Sequence, residues 1–404
     1  MRFLRAALVA TLLAGCGEEA TSPSTEEQVT PALATAAGAL AFREIHGGST
    51  HTCGVTTTNQ AYCWGSNDFG QLGTGGFGAD ATTRPVAAAG SLRFLAVRVG
   101  AGFTCGLTTD NRIFCWGLNT EGQLGNGSNS QNSLVPVPLA GDRRYRLLRL
   151  GPDHGCAISL SEVTFCWGFN RYGQLGDGTT ATRRSPVKVA GRTTYKVVSP
   201  GQHHTCGLTW EKKAYCWGLN MHGQLGNLSS VNRLTPGPVA DGLSFKVISA
   251  GQAHTCGVTT EKKAYCWGWN ENGTLGDGST RRRSRPTLVA GGRTFAGISA
   301  GGAHTCAVTT AKVAYCWGWN FYGQVGDGTS AFTSTLATKR LTPVRVSGGL
   351  LFVSVVAANN RSYSCGVTID NRGYCWGENV TGLLGNGSTS HRGEPVPTAV
   401  APPT

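Results

Sequence analysis

Two cysteines ten residues apart, the second followed directly by tryptophan, recur seven times in this chain. Cys53 pairs in this way with Cys63, Cys105 with Cys115, Cys156 with Cys166 and Cys206 with Cys216. Cys256 pairs with Cys266, Cys306 with Cys316 and Cys365 with Cys375. Each pair lies in a unit such as "HTCGVTTEKKAYCWGWN", residues 254–270, which reads as two short strands around a turn. In the first unit a three-residue loop over 57–59 sets Thr56 opposite Gln60, Val55 opposite Ala61, Gly54 opposite Tyr62 and Cys53 opposite Cys63. Counting outward from a hydrogen-bonded closing pair, the cysteines fall on a non-hydrogen-bonded pair, where Cα atoms are about 4.5 Å apart. A disulfide tolerates that distance. Seven structural disulfides are therefore expected. The alternative, zinc, needs four converging ligands, usually at closer spacing.

The other strand face follows the same register. Gly or Ala always follows the first cysteine, and its cross-strand partner is always aromatic, from Tyr62 and Phe114 to Tyr315 and Tyr374. The expectation is a ring lying over a neighbour that has almost no side chain, inside a core. The tryptophans after the second cysteine recur at intervals of 52, 51, 50, 50, 50 and 59 residues. After each comes Gly-x-Asn-x-x-Gly, usually followed by Gln-Leu-Gly-x-Gly, then a strand opened by proline and a last strand such as "YKVVSPG". Glycine, at 59 residues, suits many tight turns. Four strands in about fifty residues is the size of a propeller blade. The phases of "LAFREIHGG" and "EPVPTAV" predict that N-terminal and C-terminal strands share one blade and so close a ring.

Trp-Gly-x-Asn-x-x-Gly-Gln-Leu-Gly-x-Gly, seven times across residues 39–400, resembles the regulator of chromosome condensation repeat family. The resemblance implies an all-β, seven-bladed propeller of four-stranded antiparallel blades. It also brings the alternative of guanine-nucleotide exchange on a small GTPase, as in the founding member, although no motif here allows an exchange site to be carried over. The cysteine pair in every unit departs from what cytosolic and nuclear members need.

The leader explains that departure. "MRFLRAALVATLLAGC" has two arginines, an apolar run and small residues before Cys16, the layout of a signal peptide. Leu13-Ala14-Gly15-Cys16 resembles the lipobox of bacterial lipoproteins, which implies cleavage before Cys16 and its lipidation. Residues 1–16 are read as this leader, 17–38 as a flexible tether rich in Thr, Ser, Ala, Glu and Pro, and 39–404 as the propeller. The expectation is an exported monomer, lipid-anchored to the bacterial envelope at the outer membrane or cell surface, where disulfides persist.

No phosphate loop, nucleophile elbow or zinc-protease motif is present, so no catalytic residue, metal or cofactor is expected. Five histidines, His51, His154, His204, His254 and His304, precede the first cysteine by two residues. A shared metal is one reading; hydrogen bonding to turn backbone is the other and the favoured one. The acids Asp177, Asp277 and Asp327 alternate with neutral residues in other units, which favours turn chemistry.

The variable pair within Asn-x-x-Gly supplies Phe69, Tyr172, Met221, His222, Phe321 and Tyr322, which symmetry puts on one face as candidate partner-binding residues. A second surface is basic. The chain is +13, and residues 1–38 hold two Arg and four Glu, leaving +15 on the remainder. Arg281, Arg282 and Arg283, with Arg84, Arg183, Arg184, Arg233, Arg285, Lys339, Arg340 and Arg392, precede or open the proline strands. The partner expected is a protein or an anionic glycan, with the lipid anchor in membrane. Nucleic acid is not expected, because strand-stacking motifs are absent. The long irregular loop over 331–337 is a further contact candidate.

Overall fold

The computed structural model describes residues 40–128, 132–333 and 338–403. The expected leader, Cys16 and the tether lie outside the described residues, as do residues 334–337 of the long loop. In the first repeat, β1 (Phe42–Gly47), β2 (His51–Thr56), β3 (Ala61–Asn67) and β4 (Gly78–Ala87) form an antiparallel sheet in chain order. Six more four-stranded sheets follow over residues 94–138, 145–188, 195–238, 245–288, 295–345 and 352–399. These are blades 1 to 7. The first strand of each blade touches its counterparts in the neighbouring blades, so these strands surround the axis. The proline-bearing strand is the outer edge, where a missing N–H disrupts no ladder.

The ring closes differently from the expectation. Blade 1 and blade 7 each hold four strands consecutive in sequence, and among the described residues no blade is shared between the chain ends. Among the described residues each repeat supplies all four strands of its own blade. Closure instead uses the joint found between the other blades. The Trp64 indole N–H and the Thr52 hydroxyl of blade 1 both donate to the Leu383 carbonyl of blade 7, each at 2.8 Å. The Phe42 N–H adds a bond of 2.8 Å to the Asn371 carbonyl.

Within the hairpins the register is as read: Val55 pairs with Ala61, Gly54 with Tyr62 and Cys53 with Cys63. Asn59 supplies the left-handed residue of the loop, at φ 65°. The expected disulfides are all formed. Cys53 is bonded to Cys63, Cys105 to Cys115, Cys156 to Cys166 and Cys206 to Cys216, with Cα separations of 4.0–4.1 Å. Cys256 is bonded to Cys266, Cys306 to Cys316 and Cys365 to Cys375, over the same 4.0–4.1 Å. That is closer than the sequence estimate, because each pair faces across a single narrow hairpin.

The glycine after the first cysteine, however, receives a different ring from the one expected. A Cβ at Gly54 would lie 2.6 Å from Phe42 of the inner strand, and Gly106, Gly207, Gly257 and Gly366 meet Phe94, Tyr195, Phe245 and Phe352 in the same way. Tyr62 and its equivalents are half-buried, except Tyr374, which is buried. The inner strand lies on the other side of β2, so its aromatic competes for the same gap and fills it.

The core lies between blades rather than within them. Cys53, Val55, Cys63 and Leu72 of blade 1 pack on Phe94, Val97 and Trp116 of blade 2, and the pattern repeats around the ring. Each repeat tryptophan is fully buried. Its indole N–H donates to a carbonyl of the preceding blade: Trp116 to Gln71 at 2.9 Å, Trp217 to Gln174 at 3.0 Å, Trp317 to Thr274 at 2.9 Å. The same carbonyl accepts a threonine hydroxyl, as from Thr104 and Thr205 at 2.8 Å. That hydroxyl in turn meets a histidine of the preceding blade: His51 Nε2 lies 2.6 Å from Thr104, and His154, His204 and His254 lie 2.9 Å from Thr205, Thr255 and Thr305. Because the hydroxyl hydrogen goes to the carbonyl, the histidine must be the donor, which fixes the proton on Nε2. The five histidines therefore bind the neighbouring blade rather than their own turn backbone.

This joint carries a pH signature. Burial pushes the imidazoles of His51, His154, His204, His254 and His304 down to about 3. An unfolded histidine titrates near 6.5, so the unfolded chain takes up protons first as pH falls. Stability is complete above about pH 6.5 and declines towards pH 3, with loss already visible between 6.5 and 5, before most carboxylates protonate. Thermal melts across that range should show this, and His254→Gln should lower the melting temperature at pH 7 while making the decline shallower. Separately, replacing Cys256 and Cys266 by serine should lower the unfolding free energy by about 2–3 kcal/mol through loss of a short closed loop. Denaturant titration measures it.

Candidate partner-binding face

The Gly-x-Asn-x-x-Gly segments join the third strand of each blade to its outer strand, and their own side chains hold them in place. In blade 3 the Asn170 Oδ1 accepts the Leu175 N–H at 2.9 Å, while its Nδ2 donates to the Thr179 and Ala181 carbonyls. Gln174 accepts the Tyr172 N–H at 3.0 Å. With the Asn170 amide and the turn backbone bonded internally, the two variable side chains are free to face outward. The first glycine of the following Gly-x-Gly has no such freedom: Gly73 has φ 72°, and a Cβ there would lie 2.7 Å from the Trp116 indole nitrogen.

The sequence-selected residues occupy equivalent loops but do not merge into one patch. Phe69 is half-buried beside Gly102 of blade 2. Tyr172 packs with Phe169 and with His203 of blade 4, at ring distances of 6.3 and 5.0 Å. Phe321 and Tyr322, 5.0 Å apart, join Trp319 and Phe332 in a four-ring cluster in blade 6. Trp319 stacks on Phe321 with planes 6° apart, and Phe332 is 45% exposed. Edge and offset contacts of this kind add about 0.5–1.5 kcal/mol per pair, so the cluster is a prefolded surface.

Met221 and His222 line a cavity of about 600 Å³ between blades 4 and 5, with Leu228, Ser229, Arg282 and Ser284. Burial, and then Arg282, lowers the His222 pKa. The unusual member is Leu228. Its position is glycine in all six other blades, at Gly75, Gly127, Gly178, Gly278, Gly328 and Gly387, each with positive φ. Leu228 holds φ at 62° all the same, and leaves 62% of its surface exposed. A left-handed leucine costs about 1–2 kcal/mol, and it is placed here where it contributes little to packing. Val231, 70% exposed, extends the same loop.

The basic residues divide into two sets. Arg183, Arg283 and Arg340 form ion pairs of 2.8, 2.8 and 2.6 Å with Asp177, Asp277 and Asp327. Burial works to raise the Asp177 and Asp277 carboxyls, but hydrogen bonds from Thr179 or Ser279 and from the paired arginine outweigh it and hold both low. Arg283 is thus engaged within its own loop, unlike the expectation of a free contact. Arg281 and Arg282 are exposed. The side chain of Arg392 lies outside the described residues.

Sequence reasoning missed Trp319, Phe169, His203, Phe332 and Leu228. A signal existed for some of them: the residue after Trp-Gly is apolar in five blades (Leu118, Phe169, Leu219, Trp269, Trp319), and Asn-Leu at 227–228 breaks a run of Gly. The opposite face carries hairpin tips, where exposed Trp210 already has Arg146 and Lys196 each 5.5 Å from its ring.

The RCC1-like domain family matches residues 13–303, and the regulator of chromosome condensation (RCC1) repeat matches residues 295–324. The Arabidopsis thaliana ultraviolet-B receptor UVR8 is 30% identical over 151 residues, 37% of this chain and 34% of UVR8, so the match spans about a third of that relative. Among solved structures, Prp20p of Saccharomyces cerevisiae superposes with a TM-score of 0.75 at 20% identity, over 86% of this chain and 87% of Prp20p. The ectodomain of the Physcomitrella patens receptor kinase CR4 gives 0.54 at 22% identity, over 83% of this chain and 74% of that one. With more than half its length matched, and with seven repeats folded as seven blades, this chain belongs to the RCC1-like domain family.

Proposed function

We propose that this protein is a non-catalytic binding scaffold, exported and lipid-anchored through Cys16 to the bacterial envelope, that captures a protein partner on its Asn-x-x-Gly loop face. The observation that carries the binding role is Leu228, an exposed leucine held in a glycine conformation beside Met221 and Val231. Apolar groups maintained on a surface at a cost in stability are characteristic of contact sites. Exposed Arg281 and Arg282 next to them favour an acidic rim on the partner; an anionic glycan would use the arginines alone. Support for export comes from the lipobox-like Leu13-Ala14-Gly15-Cys16 and from seven disulfides, which suit an oxidising compartment. The CR4 ectodomain indicates that this fold is compatible with an extracellular setting. Prp20p, studied for its binding to Gsp1p and histones, supports protein capture as a use of the fold.

Intact mass of the protein from its own cells, alkylated without reduction, tests the location. Seven bridges and acyl mass on Cys16 are expected. Fourteen alkylated thiols on an unprocessed chain would overturn the envelope assignment and bring exchange on a cytosolic GTPase forward. For the face, Leu228→Gly should raise the unfolding free energy by about 1 kcal/mol by removing the left-handed strain, yet weaken partner capture at least tenfold. Phe321→Ala with Tyr322→Ala probes the second cluster in the same assay. Undiminished capture by all these variants would remove this face from the proposal.

A further inference from the structure

The axis of the ring holds a second feature unrelated to the loop face. The inner strands enclose a cavity of about 700 Å³. Residues paired opposite the first cysteine of each blade form a single layer around it: His46, Arg98, Arg149, Ser199, Ser249, Ser299 and Val356. The layer is lopsided. Blades 1 to 3 contribute nitrogen bases and guanidinium groups, blades 4 to 6 contribute hydroxyls, and blade 7 a valine. Lys196, Lys212 and Lys246 also line the cavity, and among the described residues no carboxylate does.

The serines and arginines of the layer have donors to spare. Ser199, Ser249 and Ser299 accept the backbone N–H groups of Ala250, Ala300 and Ala357 at 3.0, 3.0 and 3.1 Å. Their acceptor role leaves each O–H hydrogen available to the cavity. Arg98 meets Glu44, one layer away, at 2.5 Å, but its Nε is buried without a partner. Arg149 donates to the Leu148 carbonyl at 2.9 Å and has no carboxylate partner among the described residues. Arg98 is paired with Glu44, whereas Arg149 has no ion pair among the described residues, and a cation held away from bulk water with no anion in contact is destabilising. An anion in the cavity would offset that cost and complete the donors' bonding.

We propose that the axial cavity is a binding site for a small oxyanionic solute bearing a phosphate or carboxylate group, gripped by Arg149 and Arg98 and hydrogen-bonded by the hydroxyls of Ser199, Ser249 and Ser299. A guanidinium presents two parallel N–H donors that match both oxyanions, and serine hydroxyls suit the remaining oxygens. His46 reports occupancy. Burial, and then Arg98, depress its pKa to about 3, with Glu44 opposing and Arg149 adding to the depression. A bound anion adds negative charge and must raise it.

The test is calorimetric titration of the full chain at low ionic strength with inorganic phosphate and, separately, citrate. Saturable binding at one site is expected for at least one probe, and which of the two binds distinguishes phosphate from carboxylate recognition. Arg149→Gln should weaken that binding at least tenfold, and Ser249→Ala several-fold. Lys188→Gln removes the same charge from the exposed outer strand of blade 3 and should leave binding unchanged. In the wild-type protein, NMR titration of His46 should show its pKa rising when the probe is present, a readout that does not depend on any variant folding. No saturable binding of either probe, equal losses in Arg149→Gln and Lys188→Gln, or an unmoved His46 pKa would overturn the site. None of these readings depends on partner capture or on where the protein resides.

Discussion

Everything in this molecule depends on one joint, repeated seven times, in which a buried indole N–H reaches a backbone carbonyl of the preceding blade. A blade of four short strands is too small to bury its own apolar faces, so its core exists only when the next blade is present. An unmade bond to a buried indole or carbonyl costs about 1–3 kcal/mol, which gives the joint direction as well as adhesion. Because the ring is closed by the same joint, no blade has an unprotected face. The disulfide lies within each hairpin and acts on a different quantity: it limits the conformations of the unfolded repeat before any blade meets its neighbour.

The relay also explains exceptions that look arbitrary in the sequence. Blade 2 has Phe103 where most blades have histidine, and the following blade has Gly155 where others have threonine or serine. Histidine needs a hydroxyl across the joint, so losing the acceptor makes an apolar ring the better choice. A Cβ at Gly155 would lie 2.6 Å from Trp167, which excludes the larger residue there. At the closing joint Tyr363 replaces histidine, and its hydroxyl lies 2.9 Å from Thr52, so a longer side chain makes the same connection. The pairing is between residue i of one repeat and the position after i of the next. Comparing units only with one another, and not with their successors, hides it.

Local pairing was legible because it depends on the period of two and on a short loop. The cysteine register follows from spacing along fewer than twenty residues, and the seven sheets with their proline edge from the repeat of about fifty. What could not be read was anything set between sheets. Whether Tyr62 or Phe42 covers Gly54 is decided by which strand flanks β2 on the side of the gap, and the one-dimensional pattern supports both. Ring closure failed for a related reason: a matching phase says that terminal strands are equivalent to internal ones, but not which sheet each enters. At the candidate face, the placement of Phe69 or Tyr322 on its loop could be inferred from the motif, whereas the Trp319–Phe332 cluster depends on a loop folding back, with the Ala331 N–H donating to the Phe321 carbonyl at 3.0 Å.

A repeat fold separates the residues that build it from those that use it, because the builders must recur. Trp, Asn, Gly and Cys recur in all seven units, and each has a stated structural task. Departures from the repeat that compensate one another, such as Phe103 with Gly155, are still building. Departures without compensation are of another kind. Leu228 takes a glycine conformation and gains little packing in return; Arg149 occupies the serine layer without an ion pair among the described residues. Both raise the free energy of the isolated fold, and both lie where a second molecule can reach them. The rigidity of the closed, bridged ring is what allows such positions to persist, since a scaffold held at seven joints can carry local strain at a few of them without losing its shape.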